Sequence, residues 1–165
     1  MEKLVQRFQK LLSQTNTSFL RYNHQTIDWN DRMTAIVGAR GVGKTTLILQ
    51  HIKLHHSSKD TLYVSADDFY FSEHKLLDFA EDFHKLGGKH LFVDEIHKYA
   101  GWSKEMKLIY DYLPNLQVTF TGSSILDIFR GTDDLSRRVL LYKMYGMSFR
   151  EYLNMHYQLS LPTYS

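Results

Sequence analysis

The run Gly38-Ala39-Arg40-Gly41-Val42-Gly43-Lys44-Thr45 constrains this chain more than any other stretch. It satisfies every fixed position of the pattern G-x-x-x-x-G-K-[ST]. Met33-Thr34-Ala35-Ile36-Val37 precedes it as a short apolar run, as a buried strand requires. Thr46-Leu47-Ile48-Leu49-Gln50-His51-Ile52 follows it and reads as a helix. A strand, a glycine-rich turn and a helix in that order predict a loop whose backbone N–H groups converge on an anion. Glycine permits the tight turn, and the helix N-terminus adds partial positive charge. Lys44 then reaches the outer phosphates of a nucleotide, and the Thr45 hydroxyl can ligate Mg²⁺. The residues expected to bind the nucleotide are Gly38, Ala39, Arg40, Gly41, Val42, Gly43, Lys44, Thr45 and Thr46. Arg40 fills a free position of the pattern, and its side chain is expected in solvent. The alternative is a glycine-rich turn with no ligand, against which the strand–loop–helix context weighs.

A second motif narrows the chemistry. His90-Leu91-Phe92-Val93-Asp94-Glu95 is an apolar run closed by two acids. Ligands bind at the carboxyl ends of strands in open α/β sheets, and such a strand delivers its acids there. Asp94 is expected to hold Mg²⁺ with Thr45, as the Walker B Asp does in P-loop NTPases. Glu95 would orient and deprotonate an attacking water. Read alone, the pair is equally a helix start, with Asp94 as cap and Glu95 favoured by the dipole. Each motif supplies the context that the other needs.

Size and composition fit one domain. The chain has 165 residues, 43% of them hydrophobic, enough to bury a sizeable core. A net charge of +2 does not by itself argue for nucleic acid, which stays an open but unsupported partner. The chain has no cysteine, which excludes disulfides and thiolate metal sites. The charged, amphipathic amino terminus has no signal-peptide core, and no apolar run approaches membrane-spanning length. A soluble, cytoplasmic protein without a membrane partner is the expectation.

Along the chain, residues 3–14 read as an amphipathic helix with Leu4, Val5, Phe8, Leu11 and Leu12 on one face. Residues 15–32 read as a loop. Strands are expected at 61–65, 90–93, 117–121 and 139–142 besides the first. Helices are expected at 45–56, 73–86, 103–113 and 124–130. Alternation of this kind predicts an α/β fold with a parallel sheet and right-handed crossovers. Ser148-Phe149-Arg150-Glu151 is a capping box that starts a further helix. Thr121-Gly122-Ser123-Ser124 closes the fourth strand, where a hydroxyl could meet the attacking water or cap a helix.

The segments GARGVGKTT, YVSADD, LFVDEIHKYAGW, YDYLPNLQVTFTGSS, LSRR and MSFREYL, in that order, resemble the AAA-like P-loop ATPase domain of bacterial and archaeal proteins. The resemblance runs from about Asp31 to about Leu153. It implies a three-layer αβα sandwich around a five-stranded parallel sheet of order 5-1-4-3-2. It also implies that Ser123, or Thr121, acts as the sensor on the strand between the two motif strands. An arginine near Arg137 and Arg138 would act as a finger across a subunit interface; read alone, the pair is a solvated step before a strand. Members of that family continue past the MSFREYL-like segment into a C-terminal domain. The division expected is therefore an N-terminal helix and loop at 1–30, the ATPase core at 31–147, and at 148–165 the start of a helix leading to that domain.

Other residues read more plainly. Asp67 and Asp68 follow the second strand as turn residues or caps. His51 and His55 have the i, i+4 spacing of a metal pair, but no third ligand is evident, so His51, His55 and His56 read as surface or core histidines. Residues 21–32 are the expected adenine contact. The function expected is binding of ATP with Mg²⁺ and its hydrolysis, driving a conformational change, with a homo-oligomer as one setting. Catalysis would fall to Lys44, Glu95, Ser123 and one of Arg137 and Arg138. A switch with little turnover and, less readily, a small-molecule kinase are the alternatives. ATP over GTP rests on the resemblance and on the absence of an N-K-x-D guanine motif.

Overall fold

The structure is a computed structural model that describes residues 1–123 and 133–162, without the side chains of residues 133 and 134. Five strands form one parallel sheet: β1 (Met33–Val37), β2 (Thr61–Ser65), β3 (His90–Asp94), β4 (Gln117–Gly122) and β5 (Leu140–Lys143). Their order is β2-β3-β4-β1-β5, the expected order read from the other edge. Every residue of β1 is buried, because that strand has neighbours on both sides and helices on both faces. The edge strand β5 is only partly covered.

Helix α1 (Glu2–Gln14) buries Leu4 and Phe8 and packs on β2 and on α3 (Lys44–His55). On the other face α5 (Leu76–Lys85) packs against α6 (Trp102–Tyr112). The order explains the layers. The chain crosses from β1 to β2 in one direction and returns through β3 and β4 in the other, so right-handed crossovers place the connecting helices on opposite faces. The core between them includes Phe8, Phe79, Phe120, Met33, Ile48 and Met106, all essentially inaccessible to water.

Two expectations need correction. The single helix expected at 73–86 is two, the turn α4 (Tyr70–Glu73; α2 is the short turn Asn23–Thr26) and α5, separated by His74 and Lys75 in extended backbone. Tertiary contacts make that break. The N–H of Leu77 donates to Glu105 of α6 at 2.9 Å and that of Leu76 to the Tyr99 hydroxyl at 3.3 Å, so a fresh helix starts at Leu76. Residues 15–32 contain α2 where a loop was expected. The helix expected at 124–130 lies outside the described residues. The short helix α7 (Asp133–Ser136) precedes β5, and α8 (Phe149–Tyr157) follows it with the expected capping box.

Candidate active site

The site forms where β1 gives way to α3. Gly38 N–H donates to the Gly122 carbonyl at 3.3 Å, and Met144 N–H donates to the Val37 carbonyl at 2.7 Å. This seats the start of the loop between β4 and the chain leaving β5. A Cβ on residue 38 would lie 2.1 Å from the Met144 carbonyl oxygen, so only glycine fits. Gly43 has φ 100°, in the left-handed region, and stands as the N-cap of α3 without a side-chain cap. The first N–H groups of α3 therefore face the loop with no side chain satisfying them.

Lys44 is buried, and its Nζ donates to the carbonyls of Gly38 and Ala39 at 2.8 Å each. The lysine thus curls back over the loop. Desolvation lowers its pKa, and the charges of Asp94 and Glu95 work in the other direction. Asp94 ends β3 and is buried at 4% exposure. Its Oδ2 accepts from Thr45 Oγ1 at 2.5 Å and from the Tyr63 hydroxyl at 2.8 Å. Its Oδ1 accepts from the Thr121 hydroxyl and, at 3.2 Å, from Glu95 N–H. Burial raises the Tyr63 phenol, and the Asp94 charge adds to that, so Tyr63 stays a donor. The Thr45 hydroxyl and the Asp94 carboxylate are hard oxygen donors in contact, a set that fits Mg²⁺, which keeps much of its water shell.

Glu95 follows with φ 53° and ψ 42°, left-handed backbone that a non-glycine residue seldom adopts. Its N–H is held by Thr121 Oγ1 at 2.9 Å, so the fourth strand fixes the turn. Such strain concentrates at functional sites. Glu95 stands at the N-cap of the 3₁₀ turn Ile96–Lys98, yet its side chain makes no capping bond. Glu95 lines a cavity of about 250 Å³ together with Arg40, Gly41, Gly43, Lys44, Thr45, Thr46, Asp94, His97 and Ser123.

The two sensor candidates separate here. Thr121 is fully buried and braces Asp94 and Glu95, whereas Ser123 lines the cavity, its Oγ 2.9 Å from His97 Nε2. Ser124 lies outside the described residues. Arg137 and Arg138 stand apart from this cavity. They precede β5 and so lie at the amino edge of the sheet, while the loop and both acids lie at the carboxyl edge. Arg137 is exposed, and Arg138 donates to Asp111 at 3.0 Å. Within its own chain neither reaches the phosphate loop, because a parallel strand separates its two ends by its whole length.

A second cavity of about 580 Å³ adjoins the loop. It is lined by Leu11, Phe19, Leu49, Met147 and Met155 on apolar sides, and by Arg21, Gly41, Gly43, Thr46 and Gln50. Of residues 21–32, expected to contact adenine, only Arg21 lines it; His24, Gln25, Ile27, Asp28, Trp29 and Asn30 line a different cavity. The segment turns away at α2.

Sequence reasoning missed His97 and Tyr63, and held Arg21 only as one end of the expected adenine contact. His97 was visible in the run Asp94-Glu95-Ile96-His97-Lys98 without a role. Tyr63 and Arg21 act from elements distant in sequence, which no local pattern reveals. Arg21 Nε donates to Glu151 Oε1 at 2.9 Å in a buried ion pair, and its Nη1 donates to the Val42 carbonyl at 2.6 Å. Helix α8 is thereby tied to the phosphate loop through one side chain. Burial alone would raise the Glu151 carboxyl. Hydrogen bonds from Arg21, Ser148 and the Tyr22 N–H outweigh it and hold the pKa at about 2. A depressed carboxylate stabilises the fold above its unfolded pKa, and that stability is lost as pH falls toward 2. Acidification below about pH 4.5 should therefore lower the melting temperature, with up to about 3 kcal/mol at stake from this group. Glu151→Gln should melt lower at neutral pH, leaving Arg21 buried and unpaired, and should flatten the acid limb. Thermal unfolding followed by circular dichroism from pH 7 to pH 2 checks both; an unchanged acid limb in the variant would remove Glu151 from the account.

A glycine-rich loop after β1, an acid pair at the end of β3 and a strand inserted between them define a P-loop domain of the AAA type. The comparisons agree. A family model described as an AAA domain matches residues 30–153, and the chain belongs to that family. An uncharacterized protein of Methanocaldococcus jannaschii is 35% identical over 136 residues, covering 75% of this chain and 28% of its own length. The chain thus spans little more than a quarter of that relative. In fold it is similar to AMPPCP-bound DnaA from Aquifex aeolicus, with a TM-score of 0.54 and 17% identity over 93% of this chain and 52% of that one. No helix among the described residues is long and apolar enough to cross a membrane.

Proposed function

We propose that this AAA domain binds ATP with Mg²⁺ and hydrolyses it, using the released contacts to drive a conformational change. The observation that carries the reading is Glu95, an uncapped carboxylate in strained backbone, lining one cavity with Lys44, Thr45, Asp94 and Ser123. The AMPPCP-bound state of the similar DnaA supports a nucleoside triphosphate as ligand. Adenine would enter the adjoining apolar cavity beside Leu11, Phe19 and Met155.

Each residue then has a task. The N–H groups of the loop and of the start of α3 hold phosphate oxygens. Lys44 exchanges its two carbonyl acceptors for outer phosphate oxygens. Thr45 and Asp94 hold Mg²⁺, which when bound neutralises charge on the phosphates. Glu95 takes a proton from a water whose oxygen attacks the terminal phosphorus while the bridging bond to ADP breaks. Ser123, backed by His97, reports whether the terminal phosphate is present.

Arg137, exposed at the far edge, would act on a neighbouring subunit. Helix α8 exposes Phe149 (76%), Met155 (43%) and Tyr157 (61%), an apolar surface that a C-terminal domain or a second copy would cover. ATP cleavage by this chain alone should therefore be slow, and the rate per chain should rise with protein concentration. Phosphate release without any added acceptor, measured across a wide concentration range, tests this. A fast rate independent of concentration would remove the trans-acting arginine. Turnover only on adding an acceptor would make the protein a kinase instead.

A further inference from the structure

The histidines on α3 do not stand alone. His24 of α2 lies against His51 and His55, and one ring nitrogen from each of the three comes within 4.8 Å of the others. The third ligand that the sequence did not disclose arrives from the segment before β1. Two of the rings carry buried nitrogens without a hydrogen-bond partner, His24 Nε2 and His51 Nδ1. Unsatisfied buried polar atoms are rare, and a pair in one cluster marks a place where something binds. His51 is 5% exposed, so bulk water does not serve its nitrogen.

We propose that His24, His51 and His55 form a binding site for a divalent transition metal, with zinc as the ion. The donor set is three imidazoles, which suit zinc and its neighbours and do not suit Mg²⁺. The rings are already oriented from behind. His51 Nε2 meets His56 Nε2 at 3.1 Å, which leaves Nδ1 for a ligand. Trp29 stacks flat on His51, with centroids 3.8 Å apart, and its indole N–H donates to the His24 carbonyl at 3.0 Å. Second partners of this kind fix the ring of a ligating histidine.

A tetrahedral zinc with bonds of about 2.0–2.1 Å needs nitrogens about 3.4 Å apart. From the 4.8 Å spread, binding would draw the nitrogens together by side-chain rotation on α2 and α3. The fourth position faces a cavity of about 500 Å³ that also contains Asp28, His56 and His90, with room for water or a further donor. The ion would staple the segment before β1 to α3, about 10–16 Å along that helix from Lys44. This site is separate from the phosphate cavity and independent of the hydrolysis reading.

The test uses the whole chain, stripped with a chelator and titrated with Zn²⁺ against a chromophoric competitor. One zinc should bind per chain and raise the melting temperature, and Co²⁺ in its place should give the intense visible absorption of a tetrahedral site. His55 is exposed, so His55→Ala should fold as the parent does, which circular dichroism verifies. It should weaken zinc by at least about 10-fold, since even outer partners of a metal site are worth that much. His24→Ala should do the same, whereas Asp94→Asn should bind zinc as the parent does. Failure of the parent to bind, or an affinity equal to the parent's in His55→Ala and His24→Ala, would overturn the proposal. Loss confined to Asp94→Asn would place the zinc at the phosphate site and overturn it too.

Discussion

Glu95→Gln is expected to keep ATP bound while hydrolysis falls by roughly 10²–10⁴. The amide keeps the shape of the side chain and leaves the backbone bond from Glu95 N–H to Thr121 Oγ1 untouched. What it removes is the only change that matters for a general base, the ability to take a proton from water. The left-handed backbone at this position stays equally strained, so melting temperature should hardly move. Phosphate release and nucleotide affinity measured on the same samples separate the two effects. Unchanged turnover would reduce Glu95 to a structural turn residue. Asp94→Asn should behave differently. Asp94 accepts from Thr45, Tyr63, Thr121 and Glu95 N–H, so its loss should weaken the Mg²⁺ dependence and cost stability as well.

Lys44→Ala is expected to lower ATP affinity by at least about 10–100-fold, the worth of one charge-assisted contact. The lysine is buried among loop carbonyls and two acids, where its charge is poorly screened. Alanine also leaves the carbonyls of Gly38 and Ala39 without their donor. The loop itself should survive, because Gly38 N–H is anchored on the Gly122 carbonyl and the end of β1, at the Val37 carbonyl, accepts from Met144 N–H. Titration of a fluorescent ATP analogue into both proteins checks this, and equal affinities would remove the phosphate-loop assignment.

Local patterns carried most of the fold. The five strands lie within one residue of their expected bounds, because short apolar runs ended by glycine or acids leave few alternatives. The sheet order came from the family resemblance, and the strand pairing agrees with it. What stayed hidden was tertiary. The helix break at His74 and Lys75 depends on Glu105 and Tyr99 reaching across from another helix. The brace of Tyr63 on Asp94 depends on the neighbouring strand, β2. Glu151 looked like one half of a capping box, and it is, with Ser148 Oγ accepting from its N–H at 3.2 Å. Its second oxygen, however, holds Arg21, and through it the loop. His24 joins His51 and His55 only once α2 folds over α3. In each case the pairing joins elements that no periodicity links.

The central claim is that the loop, Lys44, Thr45 and Asp94 bind ATP together with Mg²⁺. Calorimetric titration of ATP into the unmodified chain, once with Mg²⁺ and once with a chelator, tests it most directly. The account predicts one site per chain, with affinity that rises when Mg²⁺ is present. Absence of binding, or binding equally tight in the chelator, would contradict it.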